Sequence, residues 1–108
     1  MSNQNIKKSI LNLNSLLEYQ EGSIVSRALI NKDVGTVTLF SFDKDESLSE
    51  HTAPFDALVY IFNGEAEIKI SNEKFILKSG QMIIMPANEP HALKAIDKFK
   101  MMLIMIKS

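Results

Sequence analysis

His51 and His91 are the two histidines of the sequence, and histidine is the side chain whose ordinary pKa lies nearest neutrality. An imidazole can ligate a transition metal, move a proton, or accept a hydrogen bond from a bound molecule. Carboxylates stand close by in sequence: Glu50 precedes His51, Asp56 follows it, and Glu89 lies just before His91. Each histidine also has a plainer reading, as a pocket or core imidazole bonded to backbone, and the sequence leaves both open. Other chemistries have less to work with. The chain has no cysteine, and no serine sits in a Gly-x-Ser-x-Gly turn, so an activated nucleophile is missing. Acid–base work by a histidine–carboxylate pair would want an opposing phenol, but Tyr60 has the parity opposite to Ala57 and should point away from His51. The acidic stretch Asp43–Glu50 lacks the glycine and the closing bidentate glutamate of a calcium loop. It reads as a solvated loop.

The elements that must position the histidines are strands. Glu50–Gly64 runs from a polar, proline-containing stretch with His51 into a buried-looking strand, Ala57–Phe62, ending at Asn63–Gly64. Ala66, Ile68 and Ile70 then alternate with Glu65, Glu67 and Lys69, giving one dry and one wet face. Asn63–Gly64 suits a tight turn, so the two strands are expected to form a β-hairpin with His51 at its mouth. Ile24–Ile30, Val34–Phe42, Phe75–Lys78, Gln81–Met85, His91–Ile96 and Phe99–Ile106 complete the strand set, with Pro86–Pro90 a stiff loop between two of them. Ser15–Glu18 has capping-box spacing, which predicts one or two helical turns near 14–19. The expectation is all-β: a barrel or sandwich over 23–108, preceded by an N-terminal segment, 1–22, with at most a short helix. By parity, His51, Ala53, Ala57, Val59 and Ile61 share the interior face, with His91, Leu93 and Ala95 on a partner strand. Two alanines beside two histidines leave room there, and the result is a mostly apolar small-molecule pocket.

In motif order the chain resembles the cupins, a family of small jelly-roll barrels. In their first motif, Gly-x5-His-x-His-x3–4-Glu-x6-Gly, His51 and Gly64 match, Ala53 and Ala57 fall at the second histidine and the glutamate, and no glycine opens it near 45. In the second, Gly-x5-Pro-x-Gly-x2-His-x3-Asn, Gly80, Pro86 and His91 match, while Asn88 and Ala95 replace the later glycine and the asparagine. The resemblance covers about 44–95 and implies a cupin-type double-stranded β-helix. It also implies a divalent metal (Mn, Fe, Ni or Zn) at the barrel mouth, held by three histidines and a glutamate. Here only His51 and His91 occupy ligand places, because Ala53 and Ala57 stand where a histidine and the glutamate belong. Asp56, Glu50 or Glu89 could complete a shell, but each is one residue out of register. Two functions follow: a small-molecule-binding barrel with an incomplete metal site, or a metal-dependent oxygenase or isomerase using His51 and His91.

Composition narrows the partners. A net charge of −1 offers no footprint for nucleic acid or an anionic membrane. No apolar run approaches the roughly 20 residues a bilayer needs, and the first residues are too polar for a signal peptide, so the cytoplasm is the expected compartment. Phe99–Ile106 and Val34–Phe42 are apolar on both parities. A barrel core takes only one face of each, and the other face predicts a homodimer. Five of six methionines fall at Met82, Met85, Met101, Met102 and Met105, where core filling or subunit contact is the ordinary reading.

Overall fold

The computed structural model describes residues 6–107. Residues 1–5 of the N-terminal segment and Ser108 lie outside that range. Nine strands make up the described chain: β1 (Ile24–Lys32), β2 (Gly35–Phe42), β3 (Ser47–His51), β4 (Ala57–Asn63), β5 (Glu65–Ile70), β6 (Glu73–Lys78), β7 (Met82–Met85), β8 (His91–Ala95) and β9 (Phe99–Ile106). They form two antiparallel sheets, a five-stranded one in the order β1-β2-β9-β4-β7 and a four-stranded one in the order β3-β8-β5-β6. Alternation drives the packing. Ala66, Ile68 and Ile70 of β5 are buried while Glu65, Glu67 and Lys69 stay partly in water, as a strand with one dry face requires. From the other sheet, Phe42, Val59, Ile61, Phe99 and Met101 meet them in one core. Phe42 and Phe99, directly paired across β2 and β9, stack with ring centroids 4.4 Å apart.

Three sequence expectations are corrected. The hairpin over 57–70 does not form: β4 pairs with β7 and β9, and β5 pairs with β6 and β8. Gly64 carries the chain from one sheet to the other at φ +83°. A Cβ there would collide with the Lys98 carbonyl and lie 2.7 Å from the Phe99 Cα, so a close backbone crossing, not a two-residue turn, requires the glycine. Second, the solvated loop Asp43–Glu50 is partly a strand. β3 takes Ser47–His51 at the edge of the smaller sheet. Its side chains are mostly exposed, which is why the apolar pattern did not mark it.

Third, the helix expected near 14–19 is a single 3-10 turn at Leu13–Ser15, capped by Asn12 without a side-chain hydrogen bond. Ser15 closes this turn instead of opening a helix. Tertiary contacts hold the segment in place of helical hydrogen bonds. Leu17 packs with Leu39 and Phe62 on the outer face of the larger sheet. The Arg27 guanidinium donates to the Leu16 carbonyl at 2.7 Å, Ser41 Oγ to Glu18 O at 2.9 Å and Lys100 Nζ to Asn14 O at 2.9 Å. Tyr19 donates to Asn63 Oδ1 at 2.7 Å, with the Lys98 and Lys100 ammonium groups about 5 Å from its ring centre. Partial burial and the nearby Asp97 carboxylate push the Tyr19 phenol up to about 12.

Candidate functional site: two imidazoles in an apolar cavity

β3 and β8 run antiparallel with Leu48 opposite Leu93 and His51 opposite His91, the register shifting between the two pairs. This bulge in an edge strand re-aims the chain just before the histidine. The two rings stand edge to face, centroids 4.4 Å apart and planes at 73°. Forty positions apart in sequence, they are neighbours on one sheet. His51 is exposed at the rim and His91 is 5% exposed. Each Nδ1 lies against a backbone carbonyl two residues earlier, His51 at 2.8 Å from Ser49 O and His91 at 3.3 Å from Glu89 O. A carbonyl only accepts, so Nδ1 carries the proton, and in the neutral imidazole Nε2 keeps a lone pair. Among the described residues neither Nε2 has a protein partner. Burial, and then the neighbouring His51, lower the His91 pKa, against the Glu89 carbonyl, which raises it.

Both rings line a cavity of about 310 Å³ between the sheets. Ala53, Ala57 and Leu93 line it as well. Val59 and Ile61, expected on the same wall, are instead fully buried in the core and do not reach the cavity. Phe40, Leu48, Phe55, Met85, Met101, Leu103 and Met105 make up the remaining wall, and sequence reasoning did not assign them to it. The signal was present, since Phe40 and Met101–Leu103–Met105 each keep one parity. What was missing was the strand order that sets β9 beside β4. In that order Ala57 lies between Met105 on one neighbour and Met85 on the other. Tyr60 points outward into the cluster around Leu17, away from the histidines.

Two loops are tied together at the cavity mouth. Asn88 N donates to Ala53 O at 2.7 Å, and Ala87 N to Asp56 Oδ1 at 2.8 Å. Asn88 does so at φ +68°, a left-handed conformation that asparagine tolerates better than most non-glycine residues. The carboxylates beside the histidines are therefore engaged elsewhere. Asp56 caps the loop at Ala87, Glu89 accepts from Ser71 Oγ at 3.1 Å, and Glu50 lies 4.0 Å from Lys69 Nζ. Among the described residues no three His, Cys, Asp or Glu side chains are grouped closely enough to hold a metal ion. A resident divalent metal wants three or four protein ligands. The donor set here, two imidazoles and a wall of carbon and thioether, does not fit one.

Comparison with known proteins gives the same fold and no activity. The cupin domain family model matches residues 38–107. A conserved protein of unknown function from Streptococcus pyogenes is similar over 100% of this chain and 96% of its own, at 36% identity and a TM-score of 0.93. A cupin superfamily protein from Desulfitobacterium hafniense is 34% identical over 94% of both chains, with a TM-score of 0.89. A cupin 2 conserved barrel domain protein from Leptotrichia buccalis is 45% identical over 90% of this chain but only 47% of its own, with a TM-score of 0.87. No curated protein matches the chain. No helix among the described residues is long and apolar enough to cross a membrane. With its two-sheet barrel, its motif order and these relatives, the chain belongs to the cupin family as a small RmlC-like barrel.

Proposed function

We propose that this protein binds a small, mostly apolar molecule in the cavity between its sheets, with His51 and His91 as the polar anchors and without a resident metal. The supporting observation is the cavity itself: about 310 Å³, walled by carbon and sulfur except at two adjacent imidazoles. Ligand sites are commonly apolar concavities with a few convergent polar groups, at roughly 300–1,000 Å³. A dry cavity of about 150 Å³ already admits benzene, so this one takes a ring with substituents.

The methionines supply reporters. Met85, Met101 and Met105 line the cavity, whereas Met82 is exposed and Met102 belongs to the cluster on the outer face. A fragment that enters should move the first three methyl resonances in a ¹H–¹³C spectrum and leave Met82 and Met102 in place. A panel of single-ring compounds that moves none of the three would refute the reading. Metal-dependent catalysis by His51 and His91 needs an added ligand group that nothing in the geometry favours.

A further inference from the structure

The headgroup of that molecule can be read from the two rings, an inference that rests on the cavity reading above. Both Nδ1 protons are committed to strand carbonyls, at 2.8 Å and 3.3 Å. What the cavity offers a ligand is therefore two Nε2 lone pairs on rings 4.4 Å apart. Among the described residues no lysine, arginine or hydroxyl side chain lines the cavity, and the lining side chains present acceptors and no donor. We infer that the natural ligand carries a neutral head with two adjacent hydrogen-bond donors, of the vicinal-diol class, on a compact apolar body.

The alternatives lose on elementary grounds. A carboxylate is a pure acceptor and would face two lone pairs in a site with no cation. Admitting it takes a proton on one imidazole, which at the buried His91 is opposed by burial and the neighbouring ring, whereas a diol requires none. A primary ammonium brings donors but also a buried charge, and among the described residues no carboxylate lines the cavity to pair with it. A hydrocarbon would fill the volume and leave the buried His91 Nε2 without water or partner, at a desolvation cost. A diol satisfies both nitrogens, carries no charge, and puts its carbon body against Leu93, Leu103 and Met105.

The test is a matched set on one six-carbon ring at pH 7.5: cis-cyclohexane-1,2-diol, its monomethyl ether, its dimethyl ether, and cyclohexanecarboxylate. Binding is followed by the methyl shifts of Met85, Met101 and Met105 in the whole protein. Affinity should fall about tenfold with each hydroxyl capped, the order of one net hydrogen bond, and the carboxylate should bind least. In His91→Phe the diol should lose its advantage over the monomethyl ether, with the protein still folded by its outer-face Met102 signal. If the dimethyl ether binds as well as the diol, or the carboxylate binds best, the headgroup inference is overturned while the cavity reading stands. If no compound moves the three methyls, the cavity reading falls and the inference with it.

Discussion

At His91, burial and the neighbouring His51 work in the same direction, against a positive charge on the ring. Its pKa is lowered from 6.5 in the folded protein and returns to that value when the chain unfolds. Above 6.5 both states are neutral and full stability is present. As pH falls below it the unfolded chain takes up the proton first, and stability drops until folded His91 protonates as well. Urea midpoints measured at pH 7.5, 6 and 5 should therefore decline, and His91→Gln should flatten the decline. An unchanged slope in that variant would remove His91 as its cause. The two alanines permit a second test, because Ala53 and Ala57 border the same cavity as both histidines. Wild-type protein should lose divalent metal on dialysis against chelator, whereas Ala53→His with Ala57→Glu should retain about one equivalent of zinc by elemental analysis, having four ligands in place of two. Retention by wild type, or none by the double variant, would contradict the account of the site.

Among the elements, the crossing at Gly64 has the least tolerance. Gly64→Ala meets both a positive φ and the Lys98 carbonyl, so it should destabilise by at least about 3 kcal/mol in chemical denaturation. Gly80, also at positive φ but with nothing within 4 Å of its would-be Cβ, should lose only the conformational part, about 1–2 kcal/mol. Equal losses at the two sites would discount the crossing. The same element shows how far the sequence could be read. The alternation of Glu65–Ile70 and the unbroken apolar run of Phe99–Ile106 give the bounds the structure has, because each strand puts one face in the core. Asn63–Gly64 looks like a hairpin turn because glycine's freedom is local, whereas its need here comes from Lys98, 34 positions away. β3 was illegible for a related reason. Ser47–His51 has little to bury and exists as a strand through its pairing with β8. His51 and His91 could be brought together from motif spacing. The methionine wall could not, since it depends on which strands lie side by side.

At the scale of the whole molecule, one row of side chains crosses the larger sheet on its outer face. Ile30, Val37, Ile104, Leu58 and Ile84 are successive cross-strand partners through all five strands. Its two ends are open to water, Ile30 51% and Ile84 53% exposed. The N-terminal segment covers the neighbouring patch around Leu39 and Phe62, leaving the row as an aliphatic band of the kind soluble monomers seldom keep bare. The band is nearly the same read from either end, with Ile104 at its middle, and a twofold axis there would set like against like. Light scattering at micromolar concentration should give twice the chain mass of 12.2 kDa, and Ile84→Lys should shift the protein toward monomer without changing its circular dichroism. A wild-type mass of 12.2 kDa would rule the dimer out. Ile104 belongs to β9, which follows the other eight described strands in sequence yet lies at the centre of its sheet, between β2 and β4. During synthesis the five-stranded sheet therefore has a gap in its middle until the last strand leaves the ribosome. The cavity, which takes part of its wall from Met101, Leu103 and Met105, can close only then. Until then β2 and β4 each keep one apolar edge unpaired, the edge that β9 will fill.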